Sequence, residues 1–264
     1  VLGAPTDVAR FARIPGESEL PLALVCDSTN ALREGESPSE TEVGAELARL
    51  IAAAPHRVAV TTFASNVGRV VAIARAAASV GRQVVLAGRA MHRIIGIARE
   101  QGMLDNVPVM HDQDEFRSLP RDKVVLICTG SQGEARAAIA RIARGEHPAI
   151  DLNAGDRVIF SSWAIPGNER AVIDIENMFI DRGIDVVTRD EAPLVHVTGH
   201  PRRGELRRLY ELVKPDVLVP VHGEPKHLHA HARLGREAGI AHVLETRNGD
   251  LVRLFPEPEV FQAE

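Results

Sequence analysis

His200 and His222 are the residues best placed to do chemistry. His200 closes Thr198-Gly199-His200 after an apolar run at 194–197, and His222 opens His222-Gly223-Glu224 after a second run at 216–221. Each run reads as a short buried strand. Between them Leu206, Leu209, Tyr210 and Val213 recur at helical spacing over 204–213, so a helix joins the two. Parallel strands would put both histidines at one edge of the sheet, where α/β folds gather their active sites. Imidazole suits proton transfer and metal binding near neutral pH, yet structural histidines at strand ends fit the same spacing.

A denser group, His227, His229 and His231, follows Pro225. Proline at a first turn starts a helix, and helical rotation keeps His227 and His231 on one face while His229 points away. These three cannot converge on one metal, so the run is assigned to helix surface and packing.

The elements that must position His200 and His222 are those of an α/β protein. Residues 1–20, with Pro5, Pro15 and Gly16, read as irregular, and 22–26 as a buried strand running into Asp27. Ser39 and Glu42 have capping-box spacing and open a helix through Ile51. Four strand–loop–helix units follow, at 57–77, 83–101, 123–143 and 157–182. Each begins with a Val/Ile/Leu-rich run and turns through small polar residues. Such alternation implies a parallel sheet under covering helices. Residues 104–122 read as a connection around one short strand, 184–187 as a further strand and 225–238 as a helix. Residues 241–245 and 251–254 read as a hairpin about Asn248-Gly249-Asp250. None of the loops is a phosphate-binding G-K-S/T or clean G-x-G-x-x-G motif, which leaves a nucleotide-dependent Rossmann enzyme a weak alternative.

The 264 residues are 45% hydrophobic and 25% charged, a globular balance. No apolar run approaches the roughly 20 residues of a membrane helix, and no signal peptide is visible. The two cysteines, Cys26 and Cys128, sit in apolar runs and read as reduced, buried thiols, which points to the cytoplasm. Net charge is −5, which argues against a nonspecific nucleic-acid coat but not against a local basic groove. Only three of the 31 basic residues are lysines; this arginine bias is read as genome composition. The chain starts at Val1 without a methionine, and 255–264 ends without a terminating element, so it reads as a fragment.

Several longer motifs stand in order along the chain. They are Cys26-Asp27-Ser28-Thr29-Asn30, Thr62-Phe63-Ala64-Ser65-Asn66, Thr129-Gly130-Ser131-Gln132-Gly133-Glu134, Ile165-Pro166-Gly167-Asn168-Glu169, the stretch Val195 to Arg202, and Val219-Pro220-Val221-His222-Gly223-Glu224. Together they resemble the metallo-β-lactamase/β-CASP nucleases of ribonuclease J type over residues 1–254. The resemblance implies a Rossmann-like β-CASP domain at 32–193 inserted in a partial metallo-β-lactamase αββα domain, 1–31 with 194–264. It implies a two-zinc ribonuclease, endonuclease and 5′-to-3′ exonuclease, that binds RNA and forms a homodimer or larger homo-oligomer. His222 would be a zinc ligand, and His200 would contact the scissile phosphate with Asp27 as its carboxylate partner. His196, Val197, Thr198, Gly199, Ser65 and Asn66 would line the phosphate and substrate pocket. The family's H-x-H-x-D-H motif is not found within 1–264, so the remaining ligands are expected before Val1 and the fragment alone is expected to be inactive. Two other classes compete: a non-catalytic RNA-binding β-CASP module and another hydrolase on the metallo-β-lactamase scaffold.

Overall fold

A computed structural model describes residues 6–17 and 19–262. In chain order its elements are α1 (Val8–Arg13), β1 (Ala23–Asp27), α2 (Glu40–Ala53), β2 (Val58–Thr61), α3 (Val67–Ser79), β3 (Gln83–Ala87), α4 (Arg89–Glu100) and β4 (Met110–His111). Then follow β5 (Val124–Cys128), α5 (Ala138–Ala143), β6 (Arg157–Phe160), α6 (Glu169–Asp181), β7 (Asp185–Val187), α7 (Arg203–Val213), β8 (Val217–Val221), α8 (Pro225–Glu237), β9 (His242–Val243), β10 (Leu251–Arg253) and β11 (Glu259–Phe261). The chain divides into two compact units. One is Pro38–Val197; the described residues of 5–37 and 198–264 make the other.

The first unit is a six-stranded sheet in the order β4-β3-β5-β2-β6-β7, parallel throughout. Its strands are apolar on both faces because both are covered. Alternate residues go opposite ways: Val58, Val60, Val125 and Ile127 join α2, α3 and α4 in one core layer. Ala59, Val124, Leu126 and Cys128 join α5 and α6 in the other. The expected capping box starts α2, with Ser39 and Glu42 satisfying each other's backbone N–H groups.

In the second unit β1 and β9 pair in parallel with a central β8. A small core of Ala31, Leu206, Tyr210, Leu218 and Leu234 lies under α7 and α8. β10 and β11 form a separate antiparallel pair.

Several expectations are corrected. Residues 194–197 are not a strand. Pro193 cannot donate to a ladder, and Pro193–Val195 is a 3-10 turn whose Val195 is buried all the same. The parallel partner of β8 is therefore β1, far away in sequence. The hairpin about Asn248-Gly249 does not form: the turn is present, but its first arm bonds to β8 through His242 and Leu244, and its second pairs with β11. That strand also gives 255–262 the ordered end the sequence lacked. Residues 8–13 are helical, with Asp7 as the cap; the irregular reading of 1–5 lies outside the described residues. β1 is an edge strand and not fully buried, with Val25 59% exposed.

Candidate metal and catalytic site

Parallel pairing of β1 and β8 sets Asp27 opposite Val221, so the residues that follow each strand emerge side by side. His222 leaves β8 with φ +58°, a left-handed conformation that histidine tolerates better than most residues. Such strained positions cluster at functional sites.

Four consecutive residues then each hold one of the histidines. Asp27 Oδ2 accepts from His200 Nδ1 at 2.6 Å and lies 3.2 Å from His222 Nδ1. The Ser28 hydroxyl meets His231 Nδ1 at 2.8 Å, and its N–H donates to Val221 O. Thr29 Oγ1 lies 2.9 Å from His222 Nδ1 and donates to the carbonyl of His222. The Asn30 amide donates to the carbonyl of His200 at 3.0 Å. Asp27 Oδ1 accepts the Thr29 N–H, which closes the turn. The two imidazoles stack, with centroids 5.2 Å apart.

Burial pushes the Asp27 carboxyl up, but hydrogen bonds from Thr29 and His200 outweigh it and hold the group below its ordinary value. Asp27 is thus an anion facing two Nδ1 atoms. With the His200 Nδ1–H on the Asp27 carboxylate and the His222 Nδ1–H on the Thr29 hydroxyl, each Nε2 keeps its lone pair and has no hydrogen-bond partner among the described residues. The His222 side chain is 66% exposed and that of His200 39%. Among the described residues these three form the one group able to hold a metal ion, with donor atoms within 4.8 Å of one another. Imidazole nitrogen backed by carboxylate is a donor arrangement that zinc takes readily, so the residues present fit that metal.

His231 is a member of the site that sequence reasoning missed. Its helical run reads as surface and packing, but the ring is completely buried, stacks on Tyr210 and supports Ser28 from α8. The i, i+4 relation to His227 was the available signal. His229 instead pairs with Glu245 at the surface.

Thr198 and Gly199 belong to the same unit as His200. The Thr198 hydroxyl accepts the His200 N–H at 3.2 Å, and Gly199 is exposed with open space at its Cα. Ser65, Asn66, His196 and Val197 belong to the other unit. Ser65 is exposed, whereas Asn66 caps α3 by accepting from Arg69 N and donates to Glu40. Val197 packs against a core layer. His196 accepts from Arg69, which is itself buried, bidentate to Glu40 and bonded to Ser161. Burial and the Arg69 charge press the His196 ring down to about 4, so it is a neutral acceptor.

Other motif residues join loops. Gln132 donates to Trp163 O and accepts from Ile165 N. A Cβ on Gly133, at φ +78°, would lie 2.6 Å from that of Ala171, so glycine is required there.

Residues 55–179 match the family described as "Ribonuclease J, beta-CASP domain", and residues 183–244 match "Zn-dependent metallo-hydrolase RNA specificity domain". A protein of Sinorhizobium meliloti named Ribonuclease J is 54% identical over 97% of this chain and 45% of its own length. The chain carries sequence of both ribonuclease J domains. A Ribonuclease J of Mycolicibacterium smegmatis is 48% identical over 90% of the chain and 42% of its own length. Ribonuclease J2 of Bacillus subtilis is 32% identical over 95% and 45%. The chain spans less than half the length of these ribonuclease J relatives. The β-CASP match runs from the strand β2 region into α6, and the second match carries His196, His200 and His222. No helix among the described residues is long and apolar enough to cross a membrane.

Proposed function

We propose that the protein carrying these residues is a zinc-dependent ribonuclease of ribonuclease J type, which hydrolyses RNA phosphodiesters as endonuclease and 5′-to-3′ exonuclease. The observation that carries this reading is the turn Asp27-Ser28-Thr29-Asn30, which holds His200 and His222 with both Nε2 atoms free. His222 Nε2 would hold zinc, with the Thr29 hydroxyl on Nδ1 and the nearby Asp27 carboxylate fixing the tautomer from behind. Bound zinc lowers the pKa of water and offsets phosphate charge. His200 would face the scissile phosphate, donate to it from Nε2 when protonated, and give that same proton to the leaving oxygen as the P–O bond breaks. Thr198 and the Gly199 N–H add donors to the same phosphate, and Ser65 contacts the RNA strand from the β-CASP unit. One group of three donors does not make a two-metal centre, in which several protein ligands hold the metals about 3.5–4 Å apart. The chain of 264 residues alone is therefore expected to bind no zinc pair and to cut no RNA.

A homodimer or larger homo-oligomer is part of the same proposal. Two unpaired thiols suit a cytoplasmic protein.

Zinc content and cleavage of 5′-monophosphorylated RNA, measured together in the intact protein, test the roles. His222→Ala should lower both. His200→Ala should abolish cleavage with zinc retained, and His229→Ala should change neither. Equal zinc loss in the His200 and His222 variants would contradict the assignment.

A further inference from the structure

The β-CASP unit carries a cluster of chemistry built from its own residues. β3 and β5 are neighbours in the sheet, but β3 continues through α4 toward β4, whereas β5 continues through α5 toward β6. Their loops diverge, and open α/β sheets bind ligands in such a crevice at the carboxyl ends of the strands. A cleft of about 550 Å³ lies there, floored by Gly88 and Thr129 and lined by Arg89, Arg93, Arg136 and Arg141. The Thr129 side chain packs against Gly88: a Cβ on Gly88 would fall 2.3 Å from Thr129 Oγ1. A second cleft of about 410 Å³ shares Arg89, Arg136 and Arg141 and adds Arg144 and Glu146. The two make one continuous band with five arginines and a single carboxylate.

These arginines differ from others in the unit. Arg69, Arg157 and Arg182 are paired with Glu40, Asp185 and Asp151. Arg144 pairs with Glu146, and Arg141 reaches only a backbone carbonyl. Among the described residues Arg89, Arg93 and Arg136 have no carboxylate partner and no hydrogen bond. Like charges held together without counter-charge are unfavourable unless an anion supplies it. His147, at the rim, is held below its ordinary value by burial and by Arg141. Gly88 also caps α4 without any side-chain bond, so that helix offers free N–H groups toward the cleft.

We infer that this arginine band of the β-CASP unit binds the backbone phosphates of single-stranded RNA. Guanidinium groups grip phosphate bidentately. A band running through two joined clefts fits a chain of successive phosphates better than one mononucleotide, which would fill a single cleft. The inference rests on the reading that the protein takes RNA.

The test is fluorescence anisotropy of a labelled single-stranded RNA on the intact protein, in chelator so that nothing is cut, across a salt series. The triple variant Arg89→Ser, Arg93→Ser, Arg136→Ser should bind at least about tenfold more weakly. Its salt dependence should flatten by about 0.7 in log–log slope for each phosphate no longer neutralised. Its melting temperature should not change, because the three side chains make no internal bond. Arg99→Ser, at the far end of α4, should bind like the parent. A triple variant that binds RNA as tightly as a binding-competent parent overturns the inference alone. A parent that binds no RNA overturns both it and the ribonuclease reading. Loss of AMP binding with RNA binding intact would assign the band to a free nucleotide and overturn it as well.

Discussion

Ser28 has no chemistry of its own to perform, yet it fixes how its neighbours present theirs. Ser28→Ala leaves the Nδ1 of His231 buried without its partner, which costs about 1–3 kcal/mol, to be read by urea unfolding. His231→Phe should loosen the same turn, and zinc affinity should fall although no ligand is touched. The buried rings also set a pH dependence. His231 and His196 are both pressed from 6.5 to about 4, chiefly by burial. As pH falls below about 6.5 the unfolded chain takes up protons that the folded chain refuses. Stability is therefore full above that pH and lost progressively between 6.5 and about 4. Melting temperatures across this range should fall in the parent and fall less in His196→Gln. Asp27 and Glu40, held below their ordinary values by their hydrogen-bond partners against the opposing effect of burial, add a further loss at lower pH. Asp27, His200 and His222 were legible because each ends an apolar run inside a long motif. The bonds Ser28–His231 and Arg69–His196 were not, because a contact across 203 or 127 positions leaves no local pattern.

Strand–loop–helix units were legible wherever hydrophobic period, small-residue turn and helix start agreed, as in β2–α3 and β5–α5. Reading failed where burial imitated a strand. Residues 194–197 are apolar because Val195 and Val197 serve a core layer, and Pro193 removes a ladder donor. Pairing partners were also hidden, since no residue of β8 announces that it lies beside β1. At this scale the fold makes two quantitative demands. Leu126→Ala, in the middle of the central parallel strands and fully buried, should cost about 2–5 kcal/mol in chemical denaturation. Gly133→Ala should destabilise by at least about 1 kcal/mol through its positive φ, with more added by the clash against Ala171.

Two units with separate cores should show in unfolding. Both large core layers lie within 38–197, so that stretch expressed alone should unfold cooperatively. The other unit rests on five buried core residues and should melt first, in a step that Ser28→Ala lowers while leaving the second unmoved; a single transition shifted as a whole by Ser28→Ala would contradict this. The central claim for the protein is that Asp27 and Thr29 together turn His222 so that Nε2 is offered to a metal. It is tested most directly by imidazole ¹⁵N NMR of the intact, chelator-treated protein titrated with zinc. The account predicts that His222 Nε2 shifts on zinc binding, that Asp27→Ala weakens this response, and that the rings of His227, His229 and His231 stay where they are. Zinc moving the resonances of His227 or His229 while His222 stays unchanged would contradict it.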